Sequence, residues 1–410
     1  MRAVVWHDVG DIRLDTVAEP RIQQPTDAIV RITTSAICGT DLHFIRGTVP
    51  GMIPGTIIGH EGVGVVEEVG RDIHNFKPGE RVLLSAVLGC GSCAYCRAGY
   101  FAQCNDINPK GPRTGSGAFF GAPAETGPFD GLQAEYARVP YAHTNMTRLP
   151  DSVSDAQAIP LADIYPTGYF GAVIAEVSDG DVVAVWGCGP VGQFAILSSF
   201  QRGASRVIAI DHRADRLERA EGLGAEVINF DEVDPVQTIM ELTAGIGPDR
   251  AIDAVGVDAE SPKSGPAAAR ARREDELHRG ELRRIAPRTN EQNGQWRPGD
   301  APTQVHTWMV DTIAKAGTLG IIGVYPSTDV FFPIGRAMNM NLTINVGVGN
   351  HPRYIPKLLT MVESGVVDPE KVVTQHKPLQ DALAAYREFD RRSPGWLKVA
   401  LEPTAAATRT

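Results

Sequence analysis

Five of the six cysteines fall between Cys38 and Cys104, and four of these, Cys90, Cys93, Cys96 and Cys104, follow one another at spacings of x2, x2 and x7. Four thiols that close together can wrap a tetrahedral all-thiolate site around zinc. Such closed sites supply folding energy to a lobe with little core of its own. An iron–sulfur cluster fits less well, because those runs bring the fourth cysteine sooner and follow it with proline, whereas here seven residues intervene and Asn105 follows. Upstream lie two further groups, Cys38-Gly-Thr-Asp-Leu-His43 and Gly59-His60-Glu61-Gly62-Val63-Gly64. A thiolate, an imidazole and a carboxylate are ligand types zinc prefers, and three protein ligands with an open fourth position make a catalytic site. Cys38 and His60 are therefore candidate ligands; a buried cysteine and a loop histidine are the alternative. Asp163, in Leu161-Ala-Asp-Ile-Tyr-Pro-Thr-Gly-Tyr169, sits in an apolar setting where an unpaired charge is expensive, and a metal would satisfy it.

A second kind of chemistry is written in Asp181 to Gly192. Val182 to Trp186 are apolar and β-prone, Gly187, Gly189 and Gly192 follow as G-x-G-x-x-G around Cys188, Pro190 and Val191, and the apolar run Phe194 to Phe200 suits a buried helix. In this pattern the first glycine permits the turn, the second lets a pyrophosphate approach the backbone, and the third lets helix and strand pack closely. Arg206 to Ile210 makes a second strand ending at Asp211, where an acid accepts from a ribose; a plain α/β crossover is the alternative. A carboxylate at Asp211 repels a 2′-phosphate and favours NAD over NADP. Arg213 and Arg216 lie close behind and weaken that preference, with Arg216 read as flanking the adenosine.

These sites need elements to position them, and 410 residues suffice for two or three domains. A net charge of −10 argues against a nucleic-acid or anionic-membrane partner. The uncharged run Val182 to Gln201 has membrane length, but its three glycines and one proline favour strand, turn and helix. The start, Met-Arg-Ala-Val-Val-Trp-His-Asp, has no apolar signal region, so a reducing cytoplasmic compartment and metal ligation rather than disulfides are expected.

Residues 1 to about 155 read as short strands, including Ala3 to Trp6, Ala28 to Ile32, Val63 to Val69 and Arg81 to Ala86. Asn105 to Gly131 reads as a long Gly- and Pro-rich loop, either a rim of the substrate entrance or a surface excursion. From Val182 to about Val330 strands alternate with helices, which predicts a doubly wound parallel sheet. Asp258 to Ala301 interrupts it with charges of both signs and a potential surface helix from Ala267 to Arg284; it is either a solvated insertion or an arm over the cofactor or a neighbouring subunit. A run from Leu342 to Gly347, helices from Tyr354 to Gly365 and Leu379 to Phe389 and a strand from Trp396 to Leu401 are expected to return to the first domain. The boundaries expected are 1–165, with a zinc lobe at about 88–106; 166–335, with an insertion at about 258–304; 336–403; and a disordered tail, 404–410.

Cys38 with Thr40 and His43, Gly59-His60-Glu61-x2-Gly64-x5-Gly70, the four-cysteine lobe and the Gly187–Gly192 fingerprint together resemble the zinc-containing medium-chain alcohol dehydrogenases over nearly the whole chain. The resemblance implies a GroES-like β-barrel catalytic domain joined to a Rossmann domain, one catalytic and one structural zinc, NAD, and a homodimer or homotetramer. It implies that zinc on Cys38, His60 and Asp163 polarises a small alcohol or aldehyde, with Glu61 as an alternative ligand. Thr40 resembles the hydroxyl relay, His43 the histidine that passes the proton on, and Thr167 the threonine beside the nicotinamide. Asp163, where many members carry cysteine, together with the insertion resembles the branch of glutathione-independent formaldehyde dehydrogenases and formaldehyde dismutases. Substrate choice is expected to depend on the 105–131 loop and on Phe170 and Tyr325. A polyol or amino-alcohol dehydrogenase and a non-catalytic zinc- and nucleotide-binding redox sensor are the competing readings.

Overall fold

The computed structural model describes residues 1–108, 117–127 and 129–403. Part of the loop read between Asn105 and Gly131, and the tail 404–410, lie outside the described residues.

The first sheet is built around Ala28–Ile37, a ten-residue strand rich in β-branched residues. It pairs antiparallel with Gly62–Val69 on one side and Val399–Glu402 on the other, so the end of the chain closes the sheet that its beginning started. Register shifts between Ile29 and Val30 and between Ile32 and Thr34 mark irregularities that bend the strand and curl the sheet. That strand delivers Cys38 at its end, and the partner strand begins immediately after His60 and Glu61.

The second sheet holds six parallel strands in the spatial order Glu226–Asn229, Arg206–Asp211, Val182–Trp186, Arg250–Asp253, Thr318–Ile321 and Thr343–Val346. The order reverses direction at Val182–Trp186, which opens a crevice at the carboxyl ends of the strands. The sheet runs past residue 335, the boundary expected from the sequence. Thr343–Val346 is half-exposed at the sheet's edge, so it lacks the unbroken apolar signature of a buried parallel strand.

Helix Ile164–Ile174 joins the two sheets. It packs on helix Pro190–Gln201, with the rings of Tyr165 and Phe194 stacked at 4.6 Å. Both rings are buried, and each contributes roughly 2 kcal/mol by removal from water. One apolar cluster thus runs from Ala36, Val63 and Leu83 through this helix to Ile196 and Ile252, so the joint between the domains is packed core.

The insertion carries helix Ala267–Ile285 and is less solvated than its composition suggests. Asp258, His278, Glu281 and Trp296 are buried. Trp296 packs with Trp6, Tyr386 and Phe389 of the catalytic domain, and the side-chain amide of Asn290 donates to the Val9 carbonyl (2.9 Å). The inserted chain therefore bridges both domains. No helix among the described residues is long and apolar enough to cross a membrane.

Candidate active site

Cys38, His60, Glu61 and Asp163 are all buried, and one potential ligand atom from each lies within 4.8 Å of the others. Asp163 Oδ2 is 3.5 Å from Cys38 Sγ and 3.3 Å from His60 Nε2. The other carboxylate oxygen is held back, accepting from the Thr167 hydroxyl (3.1 Å) and lying 2.9 Å from His351 Nε2. Burial alone would raise the Asp163 carboxyl, but the imidazoles of His351 and His60 hold it well below the usual carboxylate range. Burial pushes the Cys38 thiol up and outweighs the lowering effect of the nearby Lys398 ammonium.

His60 is oriented from behind. Its Nδ1 lies 3.2 Å from Asp41 Oδ1, while Asp41 Oδ2 accepts from the Cys38 amide (2.9 Å) and from Gln133 Nε2 (3.3 Å). This fully buried carboxylate braces two candidate ligands at once. A carboxylate behind a ligating histidine fixes the ring and its tautomer, so Asp41→Asn is expected to weaken zinc binding at this site about 10- to 100-fold, read by competition with a metal indicator. Glu61 pairs with the fully buried Lys398, whose Nζ also donates to the Ile37 carbonyl (3.0 Å). Glu61 Oε2 is buried without a hydrogen-bond partner, so the donor set includes an oxygen that a cation would satisfy. Asp163 Oδ2 thus faces Cys38 and His60, while Glu61 keeps one oxygen on Lys398 and the other free within the cluster.

Thr40 Oγ1 is 3.9 Å from Cys38 Sγ and lines the same cavity as Asp163. His43 is buried. Its Nδ1 lies 2.9 Å from Asp258 Oδ2 and 3.2 Å from Thr48 Oγ1. Arg46 donates to Asp258 (2.7 Å) and to Asp390 (2.7 Å), so the root of the insertion is locked onto helix Gly39–Arg46. Although burial opposes its ionisation, Arg46 and His43 hold the Asp258 carboxyl well below the usual range.

Cys90, Cys93, Cys96 and Cys104 also converge within 4.8 Å, with Cys90 and Cys96 sulfurs, and those of Cys93 and Cys104, 3.9 Å apart. Burial pushes the Cys90 thiol up to about 11. For Cys93, burial is outweighed by the amides of Cys96 and Asn105, which bring it down to about 7. The lobe reaches the other cluster through the Ala102 amide, which donates to Asn350 beside His351 (3.0 Å).

A cavity of about 520 Å³ has walls running from Cys38, Thr40 and His43 past Thr167 to Gly187, Asp211 and Phe230. Gly187 has φ +88°, and a Cβ on Gly192 would sit 1.8 Å from the Gly187 carbonyl oxygen, so turn and helix meet as the fingerprint requires. Asp211 Oδ2 accepts from the Cys188 amide (2.8 Å), and Oδ1 from the amides of His212 (2.7 Å) and Arg213 (3.0 Å). Pro190, Val191 and Arg216 line the cavity. Thr167 lies between Asp163 and His351, and so touches the candidate metal cluster itself. Of the 105–131 loop, Phe119, Ala122 and Pro123 line the cavity, and Ala118–Phe119 is a short strand paired with Val87–Leu88. Tyr325 lines it and donates to Asp253 (2.8 Å), whereas Phe170 packs into the core against Tyr354.

Asp41, His351, Lys398 and Asp258 were not singled out in the sequence as site residues. Asp41 was in plain view within Cys38-Gly-Thr-Asp-Leu-His43. His351 is 188 residues from Asp163 and carries no local motif that would join them.

Residues 24–151 match the model of the alcohol dehydrogenase GroES-like domain, and residues 190–269 that of the zinc-binding dehydrogenases. An uncharacterized zinc-type alcohol dehydrogenase-like protein of Bacillus subtilis is 34% identical over 98% of this chain and all of its own. A glutathione-independent formaldehyde dehydrogenase of Bacillus subtilis is 30% identical over 95% of this chain and 94% of its own. The solved alcohol dehydrogenase from Thermus sp. ATN1 superposes with a TM-score of 0.77 at 33% identity, covering 98% of this chain and all of that one.

Proposed function

The chain belongs to the zinc-containing medium-chain alcohol dehydrogenase family, and on that premise we propose that it interconverts a small alcohol and its aldehyde, using NAD and a zinc held by Cys38, His60 and Asp163. The observation that carries the reading is the single cavity joining that cluster to the Gly187–Gly192 turn. When bound, the metal supplies Lewis-acid polarisation of an alcohol or carbonyl oxygen, and the nicotinamide accepts or returns the hydride.

The remaining work falls to side chains. Thr40, on the cavity wall two residues beyond Cys38, accepts the proton of the alcohol hydroxyl as its own hydroxyl proton moves on along the relay. Asp258 engages the Nδ1 side of His43, which leaves Nε2 to take up that proton and pass it on. Arg46 and Asp390 keep Asp258 in place. The packed joint and the loop residues Phe119 and Pro123 shield the reacting atoms from water.

Formaldehyde is the finer substrate reading. The Asp163-to-Tyr169 stretch and the full-length similarity to a glutathione-independent formaldehyde dehydrogenase support it. A panel of primary alcohols, aldehydes and polyols, with formaldehyde offered without glutathione and NADH absorbance as the readout, is expected to show turnover of formaldehyde or a short primary alcohol. Turnover of longer alcohols without formaldehyde would abandon the formaldehyde reading; turnover of polyols alone would favour a polyol dehydrogenase; inactivity throughout would favour a sensor. We place the enzyme in the cytoplasm as a homodimer or homotetramer. Exposed Ile334, Met338 and Val346, near the edge strand Thr343–Val346, support self-association.

A further inference from the structure

The adenosine end of the cavity raises a question of charge. Asp211 marks a ribose-binding corner, yet His212 and Arg213 follow it directly in the chain and Arg216 and Arg392 line the same cavity, enough nitrogen donors to receive a phosphate. In the structure three of these four converge on one side chain. His212 Nε2 lies 3.0 Å from Glu260 Oε2, Arg213 Nη2 donates to the same oxygen at 3.3 Å, and Arg392 forms an ion pair with Glu260 Oε1. His212 also has Asp231 at its Nδ1 (3.1 Å) and lies flat on Phe230, with ring centroids 4.7 Å apart. The fourth side chain, Arg216, stands near Asp211 and offsets the effect of burial on that carboxyl, which stays below the usual range.

Glu260 comes from the insertion, two residues beyond Asp258, and lines the cavity. We propose that Glu260 is a specificity-determining residue: it occupies the cations beside Asp211, so that a 2′-phosphate finds carboxylates where it would need free guanidinium groups. The insertion thereby contributes to the choice of NAD over NADP, a role separate from that of Asp211. A ribose 2′-hydroxyl needs only an acceptor, which Asp211 supplies. A 2′-phosphate, carrying up to two negative charges, would have to displace Glu260 from Arg213 and Arg392 and leave that carboxylate beside itself.

The inference rests on the nucleotide reading of the cavity but not on hydride transfer, so the test is equilibrium binding. Dissociation constants for NADH and NADPH, by calorimetry or nucleotide fluorescence on the full-length, zinc-loaded protein, are expected to favour NADH in the wild type. Glu260→Gln, close in shape but uncharged, is expected to tighten NADPH at least about tenfold, since like-charge contacts cost several kcal/mol, while leaving NADH nearly unchanged. Arg213→Ala alone is expected to leave the NADPH-to-NADH ratio as in the wild type, because that arginine is already engaged. This second variant tests the idea even where Glu260→Gln fails to fold. An unchanged ratio in Glu260→Gln, equal weakening of both nucleotides, or an Arg213→Ala protein that loses NADPH binding selectively would overturn the proposal. Binding of neither nucleotide to the wild type would overturn the nucleotide reading itself.

Discussion

Cys38→Ser is expected to lower turnover about a thousandfold or more while leaving NADH affinity close to that of the wild type. The serine oxygen is smaller and harder than a thiolate and binds zinc poorly in place of the Cys38 sulfur. Loss of Lewis-acid assistance is worth several kcal/mol, and about 4 kcal/mol corresponds to three powers of ten. The nucleotide half of the cavity rests on Gly187, Gly192 and Asp211, none of which depends on the Cys38 sulfur, so binding and turnover should separate. Zinc analysis should fall from two per chain to one. A variant that keeps both zincs and turns over normally would remove Cys38 from the reaction.

The second large effect is on stability. Cys96→Ser opens the four-sulfur site, and its partners Cys90 and Cys104 are buried against Leu88, Ile107 and Ala118, where an unliganded polar cavity is costly. Structural zinc contributes on the order of 10 kcal/mol of folding free energy to small domains, and even part of that should lower the melting temperature by on the order of 10 °C. The effect should also reach the catalytic cluster, because the lobe holds Asn350 through the Ala102 amide, and Asn350 precedes His351. Calorimetry together with zinc content and kcat provides the check. One zinc per chain with an unshifted transition would show that the lobe folds without its metal.

The parts of the site legible in the sequence are those whose chemistry is local. Four cysteines within fifteen residues state their purpose by spacing, and three glycines within six do so once the flanking strand, the apolar helix and Asp211 are read with them. Asp163 was legible because a carboxylate amid Leu161, Ile164 and Tyr165 is unexplained without a partner. What stayed hidden depends on closure of the fold. His351 and Lys398 reach the metal cluster only after the chain has left the first domain and returned, and no spacing encodes that return. The insertion misled for a different reason. Its mixed charges read as a solvated surface, but Asp258 and Glu260 meet Arg46 and Arg392 across the domain joint, and paired charges can be buried where single ones cannot. Its apolar anchors, Trp296 and Ile285, are scattered singly through a polar run and give no direction. The sixth parallel strand was misassigned because an edge strand needs to bury little, so its pattern resembles that of a surface segment.

In the proposed mechanism Cys38, His60 and Asp163 set a substrate oxygen against a nicotinamide held by the Gly187–Gly192 turn, for direct hydride transfer. The most direct measurement is mass spectrometry of the nucleotide after turnover of the best primary alcohol of the panel, with both hydrogens on its hydroxyl-bearing carbon replaced by deuterium, using zinc-loaded protein and unlabelled NAD. The wild type is expected to form NADH that carries one deuterium each, and Cys38→Ser to form labelled NADH about a thousandfold or more slowly. Wild-type protein with two zincs that yields unlabelled NADH, or labelled NADH formed equally well by Cys38→Ser, would contradict the mechanism.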